Sequence, residues 1–472
     1  MTVNRTARRR RRPLTAPLAT LLAALSVGLL TAPATASPAT AGSGPVAAET
    51  ASRPDPAREL RLTARPATDA RALDRIVGSA KVVGIGEATH SSGDFFRAKH
   101  RMFEQLVERQ GFTTFALEAN WSAGLRVDDY VRTGKGDIRK IMDEEFVNSY
   151  AFWNTEEYLD LFTWMRQHNV RHPGHPVRFM GNDLGYAGPE LFDRVTGYVA
   201  RTRPALLPRF QELYRGSRPT GTGVECDVDV DAWMNAYLVK PEAERKALGA
   251  NVNRALTLLE GLRPAAGDGP AAREAHTWAV QHARAIAQVG TEYAFGLTTP
   301  EGLKEAMLYR DRVMAENTVW WQRHTGDRMV VSAHNAHLAY ETVWPEQYPR
   351  TQGAFLRDLL GRDYVAVGAS FGRGSFNAHD VEQPGEPVRA VTVGPLGADS
   401  NAHVLDRVAA RPFLVDLRTA TPAARDWLNG ARPTRSIGTA YPWPASVTPV
   451  RLAASYDAVL HFPEISAARL RR

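Results

Sequence analysis

The sequence predicts an α/β fold, with helices on both faces of a largely parallel central sheet. Three observations carry that expectation. Short β-branched runs recur along the chain, segments of helical periodicity separate them, and polar residues cluster directly after the runs. In open α/β sheets the ligand crevice lies outside the carboxyl ends of the strands, so those polar residues are expected to meet at one edge. Between about residues 204 and 300 helical segments follow one another without strands, which reads as a helical insertion forming a cap over the crevice.

The first 36 residues read as a secretory signal peptide. Arg5 and Arg8 to Arg12 form a basic head, an apolar run extends from Leu18 to Leu30, and Ala34-Thr35-Ala36 is a small-x-small cleavage pattern. The run is shorter than the ~20 residues of a spanning helix, so a secreted protein without a permanent membrane anchor is expected. Residues 37–58, rich in Ala, Pro, Ser and Thr, read as a disordered linker before one folded domain over 59–472. Of the net charge of +7, six positive charges lie in the leader, leaving +1 (7 − 6) for the rest. A nucleic-acid partner is therefore not expected, because its electrostatic footprint belongs on the folded domain. Cys226 is the only cysteine, which excludes an intramolecular disulfide and a cysteine-based zinc cluster. Its neighbours Glu225, Asp227 and Asp229 oppose thiolate formation. The same stretch resembles the start of a calcium loop but lacks the glycine and distal Glu, and reads as a solvated acidic segment.

Taken in order, the domain opens with Lys81 to His100, a strand, tight turn and helix. Val82, Val83 and Ile85 are strand-forming, Gly84 and Gly86 allow close approach at a sharp turn, and Glu87 and His90 fall in that turn. Phe95, Phe96, Met102, Phe103 and Leu106 mark the apolar face of the helix that follows. Gly111 stops this helix before a second strand over 113–118 that ends in Glu118. A helix over 153–165 precedes a third strand over 177–180, which leads into Gly181-Asn182-Asp183. Within the insertion, 247–262 and 271–289 are helical, and 305–321 is a further helix. The fourth strand, 329–333, delivers His334-Asn335-Ala336-His337, and 364–369 is a fifth. Further strands are expected at 388–393, 412–417 and 457–462.

Glu87, His90, Glu118, Asp183, His334 and His337 thus stand at corresponding strand ends. A carboxylate accepting one imidazole N–H fixes the tautomer and raises the basicity of the other nitrogen, which then takes a proton from water. His334 and His337 suit either of two tasks, chelation of a metal with Glu87 or Asp183, or hydrogen bonding to a developing oxyanion. Gly368-Ala369-Ser370-Phe371-Gly372 matches the G-x-S-x-G elbow of serine hydrolases. The elbow requires a helix next, and none is predicted, so Ser370 reads as a strand-end residue without a catalytic role.

On GEATH (86–90), FFRAKHRMFEQLVERQGFTTFALEANW (95–121), GND (181–183), RDRVMAEN (310–317) and SAHNAHL (332–338), the chain resembles the erythromycin esterase family from about residue 60 onward. The resemblance implies an α/β hydrolase unrelated to the G-x-S-x-G group, with a helical cap, no cofactor and no covalent intermediate. It places Glu87, His90, Glu118, His334 and His337 in the active site. Lys99 stands where the family usually has Arg, keeping the charge but losing the planar fork. Lys99 and Asp183 are expected to contact substrate. The expected function is a secreted hydrolase of small-molecule carboxylic esters or lactones, macrolides among them, as in resistance enzymes. Two alternatives stand beside it: a metal-dependent hydrolase, since the turn also looks distantly like that of Tiki and ChaN-like proteins, and a secreted binding protein without turnover.

Overall fold

The computed structural model describes residues 54–220, 230–264, 267 and 269–471, so the leader, most of the linker and the acidic stretch around Cys226 lie outside the described residues. The β-branched runs become strands. In chain order these are β1 (Arg65–Pro66), β2 (Val82–Ile85), β3 (Phe112–Asn120), β4 (Arg178–Asp183), β5 (Arg328–Ser332), β6 (Tyr364–Asp380), β7 (Val388–Val393), β8 (Phe413–Asp416), β9 (Arg432–Arg435), β10 (Ala440–Tyr441), β11 (Val447–Val450) and β12 (Ala458–Ile465). The large sheet has the order β1-β8-β12-β6-β2-β5-β3-β4, with β7 and β10 attached to β6, while β9 and β11 form a separate pair. Pairing is parallel from β12 through β6, β2, β5 and β3 to β4, and antiparallel where β8 meets β12 and β1.

β2 sits in the middle of this sheet. Its four residues are all buried, because neighbouring strands and helices cover both faces, as expected where helical crossovers join parallel strands. Alternation along the strands supplies two cores. Val82, Ala116, Met180 and Val331 face one, and Val83, Ile85, Phe115, Leu117 and Phe179 face the other.

The helices end where their sequence dictates. Helix α1 (Gly93–Gln110) stops at Gly111, whose φ of 66° is left-handed. Helix α2 (Trp121–Thr133) starts at Asn120, whose side chain accepts the Ala123 N–H at 2.7 Å. It then lies so close to β4 that a Cβ on Gly124 would come within 2.1 Å of the Gly181 nitrogen. Helix α3 (Glu156–Arg171) packs on the same face as α1, with Phe96 against Tyr158 and Phe103 against Trp164.

The insertion contains α4 (Glu242–Gly261), α5 (Pro270–Glu292) and shorter helices over Leu207–Tyr214 and Val230–Leu238. Helix α6 (Pro300–Thr325) returns the chain to β5, and a single turn, α7 (Asn335–Leu338), follows that strand. Met234, Glu292 and Tyr293 from the insertion line the cavity at the carboxyl edge of the sheet, so these helices do cap it.

Two expectations need correction. β6 continues to Asp380, which places Ser370 inside a strand rather than at its end. The GND residues belong to β4 itself and do not follow it. No helix among the described residues is long and apolar enough to cross a membrane.

Candidate active site

The turn after β2 is built by close approach. Gly86 donates its N–H to the Val367 carbonyl at 2.8 Å, and a Cβ on Gly86 would fall 2.1 Å from the Asn335 side-chain oxygen. Asn335 in turn grips the Ala369 backbone, donating to its carbonyl at 2.7 Å and accepting its N–H at 2.9 Å. Beyond the turn, the Ser91 carbonyl accepts N–H groups from Asn377 and Ala468, both at 3.1 Å. The loop bearing His90 is therefore fixed by α7, β6 and the segment after β12.

Within it, His90 Nδ1 lies 3.1 Å from Glu87 Oε1. The other Glu87 oxygen is paired with Lys99, which α1 brings beneath the turn. Lys99 also donates to Ser332 Oγ at 3.0 Å, and the Tyr158 hydroxyl lies 3.2 Å from that oxygen. Burial drags the Lys99 ammonium below its ordinary pKa, against the opposing pull of Glu87. Both partners are almost wholly buried, and removing one half of such a pair costs about 3–5 kcal/mol. Lys99 thus supports Glu87 from behind and does not line the cavity.

On the facing side, α7 begins at His334, whose Nδ1 accepts the Ala336 N–H at 3.2 Å. An accepting Nδ1 puts the proton of the neutral ring on Nε2. Nε2 is buried with no hydrogen-bond partner among the described residues, while the Ala88 backbone favours its protonation. Burial, reinforced by the neighbouring His90, holds His334 well below the usual histidine pKa, so it is a neutral N–H donor. The His90 and His334 rings stand with centroids 4.9 Å apart, flanked by Trp153 at 5.2 Å from His90 and by Trp344 stacked 5.9 Å from His334.

Glu118, at the end of β3, does not touch His90. Its Oε2 accepts the His334 backbone N–H at 2.9 Å, while Oε1 meets Arg310 at 3.1 Å and His337 Nε2 at 3.3 Å. Burial alone would raise its carboxyl pKa, yet His337, His90 and Arg310 hold it well below the ordinary range. The opposite holds for His337. Burial works against its charge, but Asp311 Oδ1 at 2.8 Å from Nδ1, together with Glu118, pushes it up to about 10, making it an imidazolium.

Asp183 is likewise buried away from the cavity. It holds Arg310 by bonds of 2.9 and 2.5 Å and accepts from the Tyr150 hydroxyl at 2.9 Å. Burial opposes the guanidinium charge, but Asp183 and Glu118 more than compensate and raise the Arg310 pKa.

His90, Glu118, Arg310, His334 and His337 thus border one cavity of about 90 Å³, with Glu87, Lys99 and Asp183 in support. Both nitrogens of His337 are engaged by carboxylates, and among the described residues no three His, Cys, Asp or Glu side chains are grouped as a metal site requires. Sequence reasoning missed the roles of Arg310 and Asp311, adjacent residues on the inward face of α6. Their signal was available in the RDRVMAEN motif, where Asp311 is fully buried and Arg310 nearly so.

Ser370 belongs elsewhere. It pairs across the sheet with His461, whose Nδ1 is 3.2 Å from Ser370 Oγ and whose Nε2 is 2.9 Å from Asp406 Oδ1. Of this chain, Ser370 borders a separate cavity of about 10 Å³, the room of roughly one water. Burial lowers the pKa of His461, which is wholly enclosed.

A chain with this geometry has known relatives. It is 22% identical to erythromycin esterase type II of Escherichia coli over 66% of this chain and 73% of that one. A Bacillus cereus protein of known crystal structure superposes with a TM-score of 0.76 at 27% identity, covering 88% of this chain and 98% of that one. A mutant erythromycin esterase, EreC, in its open conformation superposes with a TM-score of 0.64 at 17% identity, over 86% and 98% of the two chains, and so shares the fold. The sequence model for erythromycin esterase matches residues 107–465. With three quarters of its length matched and the fold shared, the chain belongs to the erythromycin esterase family of hydrolases.

Proposed function

We propose that the protein is a secreted hydrolase of carboxylic esters or lactones that activates water directly, without a covalent enzyme intermediate. The observation that carries this reading is the Glu87–His90 pair facing a neutral His334 across the cavity. Glu87 accepts the His90 Nδ1 proton, leaving Nε2 to take a proton from water as that water attacks the carbonyl carbon. The His334 Nε2–H is a donor for the carbonyl oxygen as it gains negative charge, and the fixed charge of Arg310 adds to that stabilisation. His337 keeps Glu118 ionised, and Glu118 keeps the His334 backbone in place.

Hydrolysis of a panel of aryl esters and macrolides, with and without chelator, tests the reading. Turnover that survives chelation and falls ~100-fold or more in a folded His90→Ala variant is the expected result. Full activity in that variant overturns the mechanism, and chelator sensitivity transfers the reaction to a metal.

The Ser370-His461-Asp406 chain supports a second reading, a serine hydrolase. Its cavity is too small for a substrate carbonyl, and no helix follows Ser370 to supply oxyanion donors. Ser370→Ala is expected to remain active, and labelling of Ser370 by a fluorophosphonate would favour the serine mechanism instead.

A further inference from the structure

The lining of the main cavity also includes carboxyl groups that the hydrolytic reading leaves unused. Glu292 closes α5 and is only 4% exposed, yet its side chain makes no hydrogen bond or ion pair among the described residues, and it borders the cavity. Arg310 is the nearby cation, but Asp183 and Glu118 already engage it. Glu145 is 6% exposed. One of its oxygens accepts from Arg126 at 2.8 Å, while the other, Oε2, is buried without a partner. Tyr150, Tyr186 and Tyr293 complete this part of the lining. The hydroxyls of Tyr150 and Tyr293 are committed to Asp183 and to the Gly185 carbonyl, so these residues offer ring surface rather than oxygen ligands.

An unpaired carboxyl in an enclosed site is costly, and a ligand that brings the missing positive charge relieves that cost. Burial first, and then the charge of Asp183, push the Glu292 carboxyl up to about 8, with Arg310 opposing. Aromatic faces beside carboxylates select a bulky, weakly hydrated cation over a small metal ion.

We propose that this part of the lining is a subsite for an alkylammonium group, in which Glu292 faces the cation, Glu145 adds negative charge from behind the surface, and Tyr150, Tyr186 and Tyr293 surround it. The preferred substrate is then an ester or lactone bearing an amine away from the bond that is cleaved. This specificity rests on the hydrolytic reading above, whereas binding of the cation does not.

Two measurements separate the claims. The first compares kcat/KM for a choline ester with that for its neutral 3,3-dimethylbutyl isostere. The expected preference is ~10-fold or more for the charged ester, reduced by about the same factor in Glu292→Gln and to a lesser degree in Glu145→Gln. The second follows tetramethylammonium binding by calorimetry, with Kd expected to rise about 10-fold in Glu292→Gln. Cation binding that depends on Glu292 without hydrolysis of either ester upholds the subsite and removes the hydrolase. Equal turnover of both esters, a preference untouched by both variants, or no cation binding by the unmodified protein overturns the subsite.

Discussion

At the scale of single residues, the site works by giving three histidines different fixed states. His90 is paired to Glu87 alone, His334 is held neutral with its proton on Nε2, and His337 is held charged between two carboxylates. The last of these is directly testable. An ordinary histidine titrates near 6.5, and His337 does so at about 10 in the folded protein. Its pairing therefore contributes stability that is fully present below pH ~6.5 and is lost as pH rises through 10. In Asp311→Asn, side-chain NMR should show the His337 midpoint lowered by roughly 1–3 pH units. Glu118 then loses its imidazolium partner at a correspondingly lower pH, so turnover in the variant should decline as pH rises through that lowered midpoint. An unchanged midpoint would mean that Asp311 does not set the charge.

At the scale of elements, the sequence was most legible where local chemistry decides structure. The β-branched runs at 82–85 and 388–393 form strands with those bounds, and the glycine at 111 ends its helix in the left-handed conformation that favours glycine. Glu87, His90, Glu118, His334 and His337 could be singled out because they sit at or just after strand ends, where the topology predicts a crevice. What local patterns do not carry is which face of a long helix turns inward. Arg310 and Asp311 were legible only as part of the RDRVMAEN motif, without a role, and their inward direction follows from how α6 packs against the sheet; Glu292, at the end of α5, carries no local signal of its burial. The length of β6 was hidden for a related reason, since its later half is held by β7 and β10 rather than by an apolar run of its own. Helix α2 and β4 are in close backbone contact. Gly124→Leu, by forcing these apart beside Asn120 and Asp183, is expected to lower stability by about 3 kcal/mol or more, measured by urea denaturation. A neutral result would show that the helix can shift without cost.

At the scale of the whole molecule, the leader and the folded domain make separable statements. The basic head and apolar run are expected to direct export and be removed after Ala36. Intact mass of the protein recovered from the medium of a native-type host should then match a chain beginning at Ser37. Full-length protein retained in the cells would refute the assignment. The folded domain has a different global property, which comes from the position of β2. Both strands that flank it, β5 and β6, lie about 250 or more positions later in the chain. A ribosome adding 5–20 residues per second takes ~12–50 s to supply the first of them. For that interval the segment Val82–Ile85 has neither of its flanking strands, and the turn that carries Glu87 and His90 lacks the partners that fix it. The nascent chain therefore carries an unfinished centre through most of its own synthesis, and a holding chaperone has more to gain here than in a fold whose first strand lies at the rim.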